Sequence, residues 1–221
     1  MLPVYLEVAP RRSFAAACDW PGWCRSGRTE ELALAALADY LPRYAAAAAR
    51  ASVQLPAADA DALEVVERLT GSMTTEYGAP GAVAAGDGEP LTVADAARQA
   101  RLVAAAWTAL DRVAAGAPAE LRKGPRGGGR DRDQVVEHVL SAEAAYARKI
   151  GVRLLVPAVG DRASVDALRS AVLAVLGGPS DGLPVGAKGW PVRYAARRIA
   201  WHVLDHAWEI EDKSGPAATA P

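Results

Sequence analysis

From Thr92 onward the sequence keeps a helical period almost to its end, and this limits the fold more than any other feature. Leu102, Ala105, Ala106, Ala109, Leu110 and Val113 recur at the spacing of one helix face. Thr92 or Asp95 is placed to cap that helix, which reaches about Ala115. A second helical pattern runs from about Asp133 to Ile150. A third covers about Ser164 to Leu176, with Ser164 as its cap and Gly177-Gly178-Pro179 as its stop. Trp190-Pro191 places a proline in the first turn of a fourth, which runs to about Lys213. Four such helices, with these connections, predict a bundle over residues 90–213.

The first half has a different texture. Residues 2–9, LPVYLEVA, are β-prone, and residues 13–18, SFAAAC, form a second candidate strand. Asp19-Trp20-Pro21-Gly22 supplies turn chemistry. Thr29 is an N-cap candidate for one helix from about Glu30 to Arg50, with Leu32, Leu34, Leu37, Leu41 and Tyr44 as its apolar face. Residues 63–77 read as β structure, with a hairpin around Gly71. Glycines and prolines crowd residues 78–90 and mark a linker or long loop. The expected fold class is therefore α+β: a small α+β unit over residues 1–80, then the helical bundle.

Composition narrows the function classes. The apolar fraction is 51%, enough for a sizeable core, and the formal net charge is -1. No basic stripe suggests a nucleic-acid partner. No apolar run is long enough for a membrane span, and no secretion signal is visible at the N-terminus. Two cysteines, Cys18 and Cys24, are too few for a disulfide scaffold and fit a reducing compartment. A cytoplasmic protein acting on a small molecule, with no nucleic-acid or membrane partner, is expected. The two cysteines could pair if their strands run antiparallel, but read as ordinary small apolar residues.

The chemistry-bearing residues are the histidines, of which there are three. His202 and His206 stand four apart and share a helix face; His138 lies on the second helix of the bundle. Three imidazoles leave a metal at least one open position, which is how catalytic sites are built. Neutral imidazole with no thiolate points to one divalent transition metal, zinc or nickel. Arg198, one turn before His202, could hold an anionic substrate. Glu209, three after His206, could orient an imidazole N–H. These two are the candidate catalytic residues, although a solvated, ion-paired helix face would look the same. Asp205 stands at one edge of the face, and Glu137 and Glu143 flank His138 without clean helical spacing. Tyr146 lies two turns beyond His138 and could line the cavity or simply pack. Trp107, Trp190, Trp201 and Trp208 read as core or rim aromatics, with Trp190 able to roof a pocket. The segment 122–133, with Arg122, Lys123, Arg126, Arg130 and Arg132 among glycines, lacks a P-loop ending and reads as a solvated loop rather than an anion-attracting lid.

The second half resembles the DinB-like superfamily of metal-binding four-helix bundles, which includes bacillithiol transferases and mycothiol-dependent maleylpyruvate isomerases. The resemblance rests on a lone His on the second helix, here His138 in HVLSAEAAYARKIG, and a His-x-x-x-His pair on the last, His202 and His206. The first half is similar to the small HicB-like fold in VYLEV and ACDWPGWCRSGRTEELALAAL, a weaker match. The resemblance implies a bundle with a metal at the floor of a deep apolar cavity. It also implies a low-molecular-weight thiol as co-substrate, with mycothiol the candidate in a GC-rich bacterium. The expected function is a metal-dependent thiol transferase, isomerase or hydrolase. The alternative is a non-catalytic metal-binding or stress-associated protein whose N-terminal unit is an interaction module. A homodimer through the open sheet edge is a further expectation.

Overall fold

The computed structural model describes residues 1–55, 62–124 and 128–215. Its strands are β1 (Leu2–Ala9), β2 (Arg12–Ala17), β3 (Cys24–Gly27) and β4 (Leu63–Thr70). Its helices are α1 (Glu30–Asp39), α2 (Leu41–Arg50), α3 (Met73–Glu76), α4 (Val93–Gly116), α5 (Arg132–Lys149), α6 (Arg162–Leu176) and α7 (Val192–Ser214). The fold is α+β, with a mixed sheet in the order β3-β2-β1-β4. β1 pairs antiparallel with β2 and parallel with β4, with a register shift between Val4 and Tyr5.

Three expectations about the first half change. The single helix over 30–50 is two helices that break at Tyr40. Pro42 has no N–H to give the preceding turn, so it belongs at the start of a new helix. Leu32 lies off the apolar face of α1 and is exposed, while Ala33, Leu37 and Tyr44 are buried. The β structure expected over 63–77 ends at Thr70 and is no hairpin, because β4 crosses back to lie parallel to β1. A Cβ at Gly71 would stand 2.9 Å from the Ala9 Cβ, so the chain passes there only as glycine. Ser72 then caps the short α3 by accepting from the Thr74 amide at 3.2 Å. The strand β3 had no periodic signal, being only four residues long.

The sheet is covered on both faces. Val4, Leu6, Ala15 and Ala17 share a core with Leu37 and Tyr44 of α1 and α2 and with the bundle. Tyr5, Phe14, Ala16 and Cys24 pack on the other side against Trp201 of α7. The Trp20-Pro21-Gly22-Trp23 turn joins the halves. The Trp23 indole donates to the Leu37 carbonyl at 2.8 Å and stacks on Tyr44 with centroids 5.5 Å apart. The Tyr44 hydroxyl donates back to the Pro21 carbonyl at 3.0 Å. Gly22 has φ +96°, and a Cβ there would lie 2.8 Å from Leu204 Cδ1 of α7.

The bundle helices keep their expected extents within a few residues. Thr92 caps α4, accepting from the Asp95 amide. The cap of α6 is Asp161 rather than Ser164, whose amide it accepts at 3.1 Å. The Arg132 amide donates to the Ala119 carbonyl, so α5 starts where α4 ends. Arg162, the first residue of α6, reaches Asp111 near the end of α4, and Ser180 beyond α6 pairs with Leu91 before α4. α6 therefore runs antiparallel to α4 and parallel to α5. Residues 150–161 cross the length of the bundle: at ~3.3 Å per residue they reach about 40 Å, and α6 needs about 22 Å. The Trp190 amide donates to the Lys149 carbonyl, so α7 begins where α5 ends.

Three charged groups, Arg197, Asp87 and Glu7, are buried at the seam. Arg197 of α7 forms an ion pair with Asp87, which lies in a short 3-10 turn, Ala85–Gly88, and it also donates to the Tyr5 hydroxyl. Glu7 is fully buried with no cationic partner among the described residues, and instead accepts from the Thr75 hydroxyl and from the amides of Gly81 and Ala82, both at 2.9 Å. Segment 78–90 is thus pinned to β1 and α7. The two cysteines are free, and Cys24 is buried.

Candidate metal centre

α7 places His202 and His206 one turn apart on the face it turns to α5, and α5 answers with His138. One nitrogen from each ring can be chosen so that all three lie within 4.8 Å of one another. The ring centroids are 4.6 Å apart for the pair on α7, and 5.1 and 4.9 Å from His138 to each. His202 is buried; His138 and His206 are half-buried.

These residues fit a metal. The Nε2 atoms of His138 and His202 face each other at 3.3 Å. Two nitrogens bound to one tetrahedral zinc at about 2.0–2.1 Å lie about 3.3–3.4 Å apart. Burial, with the neighbouring imidazole of His206, holds the His138 and His202 rings below the usual histidine range, that of His202 well below. Neutral rings are the form that ligates. His202 Nδ1 is buried without a hydrogen-bond partner among the described residues. An unpaired buried nitrogen costs about 1–3 kcal/mol, and a metal held through His202 Nε2 would leave this one unpaired. The three histidines could hold a divalent metal ion.

Glu209 completes the arrangement. Its Oε2 lies 2.7 Å from His206 Nδ1, which leaves His206 Nε2 for a ligand. Its Oε1 accepts from Lys213 Nζ at 2.5 Å. The bond with His206 foremost, aided by Lys213, holds the Glu209 carboxyl down at about 2. Lys213 was not singled out in the sequence, although its spacing of four from Glu209 is the signal that would have found it.

Arg198 sits between aromatic rings, its guanidinium carbon 4.8 Å from the Trp201 centroid and 5.3 Å from that of Tyr146. Its Nη1 is buried with no hydrogen-bond partner among the described residues. Tyr146 meets His202 edge-on at 5.7 Å and Trp190 at 5.3 Å, so both aromatics border the triad. Trp107, Trp201 and Trp208 are buried.

Other candidates point elsewhere. Asp205 turns from the histidines to pair with Arg25 at 2.8 Å. Glu143 faces the bundle interior, where it meets Arg169 at 3.3 Å; burial pushes its carboxyl above the usual range. Glu137 is exposed and lines, with Gly129, Arg130, Gln134 and Ser141, an open polar depression over His138. In the basic segment, Lys123 is tied to Asp131 at 2.5 Å and Arg132 to Asp133 at 2.8 Å, while Arg126 lies outside the described residues. No family model, curated protein or solved structure matches this chain.

Proposed function

We propose that this chain is a metal-dependent enzyme of DinB-like type, with a HicB-like N-terminal unit and a DinB-like bundle. It would activate a low-molecular-weight thiol, mycothiol or a relative, or water. The nucleophile would be transferred to a small electrophilic molecule, or would assist its isomerisation or hydrolysis. The observation that carries this reading is the convergence of His138, His202 and His206, with two facing nitrogens at the spacing of ligands to one ion.

When bound, a divalent ion would supply Lewis acidity, lowering the pKa of a coordinated thiol or water to give a nucleophile at neutral pH. The protein's residues supply the rest. Glu209 fixes the tautomer and orientation of His206, and Lys213 balances its charge. Arg198 offers a spare N–H to an anionic group of the substrate. The depression over His138 gives a hydrophilic ligand a path to that imidazole.

Metal content by mass spectrometry on the wild type and on His202→Ala tests this. About one divalent metal per chain, lost in the variant, is expected. No metal in the wild type after incubation with zinc, nickel or copper would sink the reading. A second reading, a non-catalytic metal-binding or stress-associated protein, is favoured by the shallow polar opening at the triad. In it the exposed edge of β4 is the route to a homodimer. Metal-loaded protein that turns over no thiol with any electrophile would favour that reading.

A further inference from the structure

Gln99 on α4 is 6% exposed, and its carboxamide makes no hydrogen bond among the described residues; Nε2 is buried without a partner. Native folds rarely leave an amide donor so, since the lost bonds to water are not replaced. The side chain lines a cleft of about 480 Å3, where the 18–21 turn meets the starts of α4 and α7. A second cleft of about 450 Å3 opens beside it and shares Cys18, Asp19, Arg193 and Arg197. None of the three histidines lines either cleft.

The inner wall of the cleft is rich in donors. Arg197 is committed to Asp87 and Tyr5. Arg98 gives one N–H to the Asp19 carbonyl at 2.8 Å and lies over the Trp20 ring at 4.2 Å. Among the described residues Arg193 has two long bonds, to the carbonyls of Glu89 and Pro90 at 3.4 and 3.2 Å. Neither Arg98 nor Arg193 has a carboxylate partner among the described residues. The acids of this cleft, Asp19 and Asp95, are exposed at its rim, where water screens them, and Asp95 is occupied by the Thr92 hydroxyl. Burial pushes the Cys18 thiol up to about 11, so it adds no negative charge at neutral pH.

We propose that this cleft is a second binding site, separate from the histidine triad, for a small molecule bearing an oxyanion, with Gln99 and Arg193 as its donors. The oxyanion is a carboxylate or a phosphate ester. The volume suits a metabolite-sized ligand, and a seam between two structural units is a common place for one.

The test is thermal unfolding and calorimetric titration of the full chain with inorganic phosphate and with succinate, on wild type, Gln99→Leu, Arg193→Gln and His202→Ala. In anion-free buffer Gln99→Leu should unfold at a higher temperature than wild type, because the orphaned amide is gone. At least one probe should raise the wild-type Tm. It should bind about fivefold or more weakly to Gln99→Leu and Arg193→Gln, and unchanged to His202→Ala. Tighter binding of phosphate assigns the ligand as a phosphate ester, and of succinate as a carboxylate. The proposal is overturned if wild type binds neither probe, if both cleft variants bind as well as wild type, or if His202→Ala abolishes binding. It also falls if Gln99→Leu is less stable, since the carboxamide would then have a partner inside the fold.

Discussion

Glu209 Oε2 lies 2.7 Å from His206 Nδ1, and the same carboxylate holds Lys213, so one face of α7 carries a candidate ligand, an acid placed to orient it and a balancing cation in successive turns. Carboxylates in this position raise the basicity of a ligating imidazole. Glu209→Ala is expected to weaken zinc or nickel binding about 10–100-fold, measured by competition with a chelator. Glu209→Gln, which keeps an acceptor oxygen, should lose less. Unchanged affinity in both would mean that His206 needs no support.

The Arg197–Asp87 pair is buried on both sides. Arg197→Met would leave the Asp87 carboxylate without its charge partner. A loss of about 3–5 kcal/mol is expected in urea unfolding, as for other broken buried pairs. A loss near zero would show that the 3-10 turn can swing out and hydrate.

Gly22→Ala combines a positive φ with a Cβ pressed to 2.8 Å from Leu204. Roughly 2 kcal/mol or more of destabilisation is expected from backbone strain and overpacking together. Adding Leu204→Ala should relieve the contact without relieving the strain, so denaturant midpoints should recover only in part, after allowing for the cavity that substitution makes on its own.

Asp161 accepts from the Ser164 hydroxyl at 2.6 Å and its amide at 3.1 Å, and these bonds hold its carboxyl below the ordinary 3.8. The folded chain thus binds this proton less readily than the unfolded one. The contribution is present above the ordinary value and lost as pH falls through the lowered one. Asp161→Asn can still cap α6 but cannot titrate, so its stability between about pH 5 and pH 2 should fall less steeply than that of wild type. Parallel curves would remove Asp161 from the acid response.

How much was legible follows from how local each signal is. α4 could be read from Thr92 because a cap and a one-sided apolar stripe lie within its own span. The break at Tyr40 was also written locally, in Pro42, but the alanines on either side hid it. α3 is too short to show a period, and only the Ser72 cap announces it. The triad was readable because two of its members share one turn and the sequence holds no other histidine. Asp205 looked equivalent by spacing, yet Arg25 of β3 draws it to the other side, a contact spanning most of the chain. The Gln99 cleft had no sequence signal at all, since residues 18–21, 98–99 and 193 meet only after the sheet docks on the bundle.

α7 presents its histidines toward α5 while Ala200 and Leu204 of the same helix lie against Gly22. A helix of this length is a stiff rod, so those two contacts cannot shift independently. Anything that grips the sheet and tilts the Trp20–Trp23 turn would tilt the imidazoles with it.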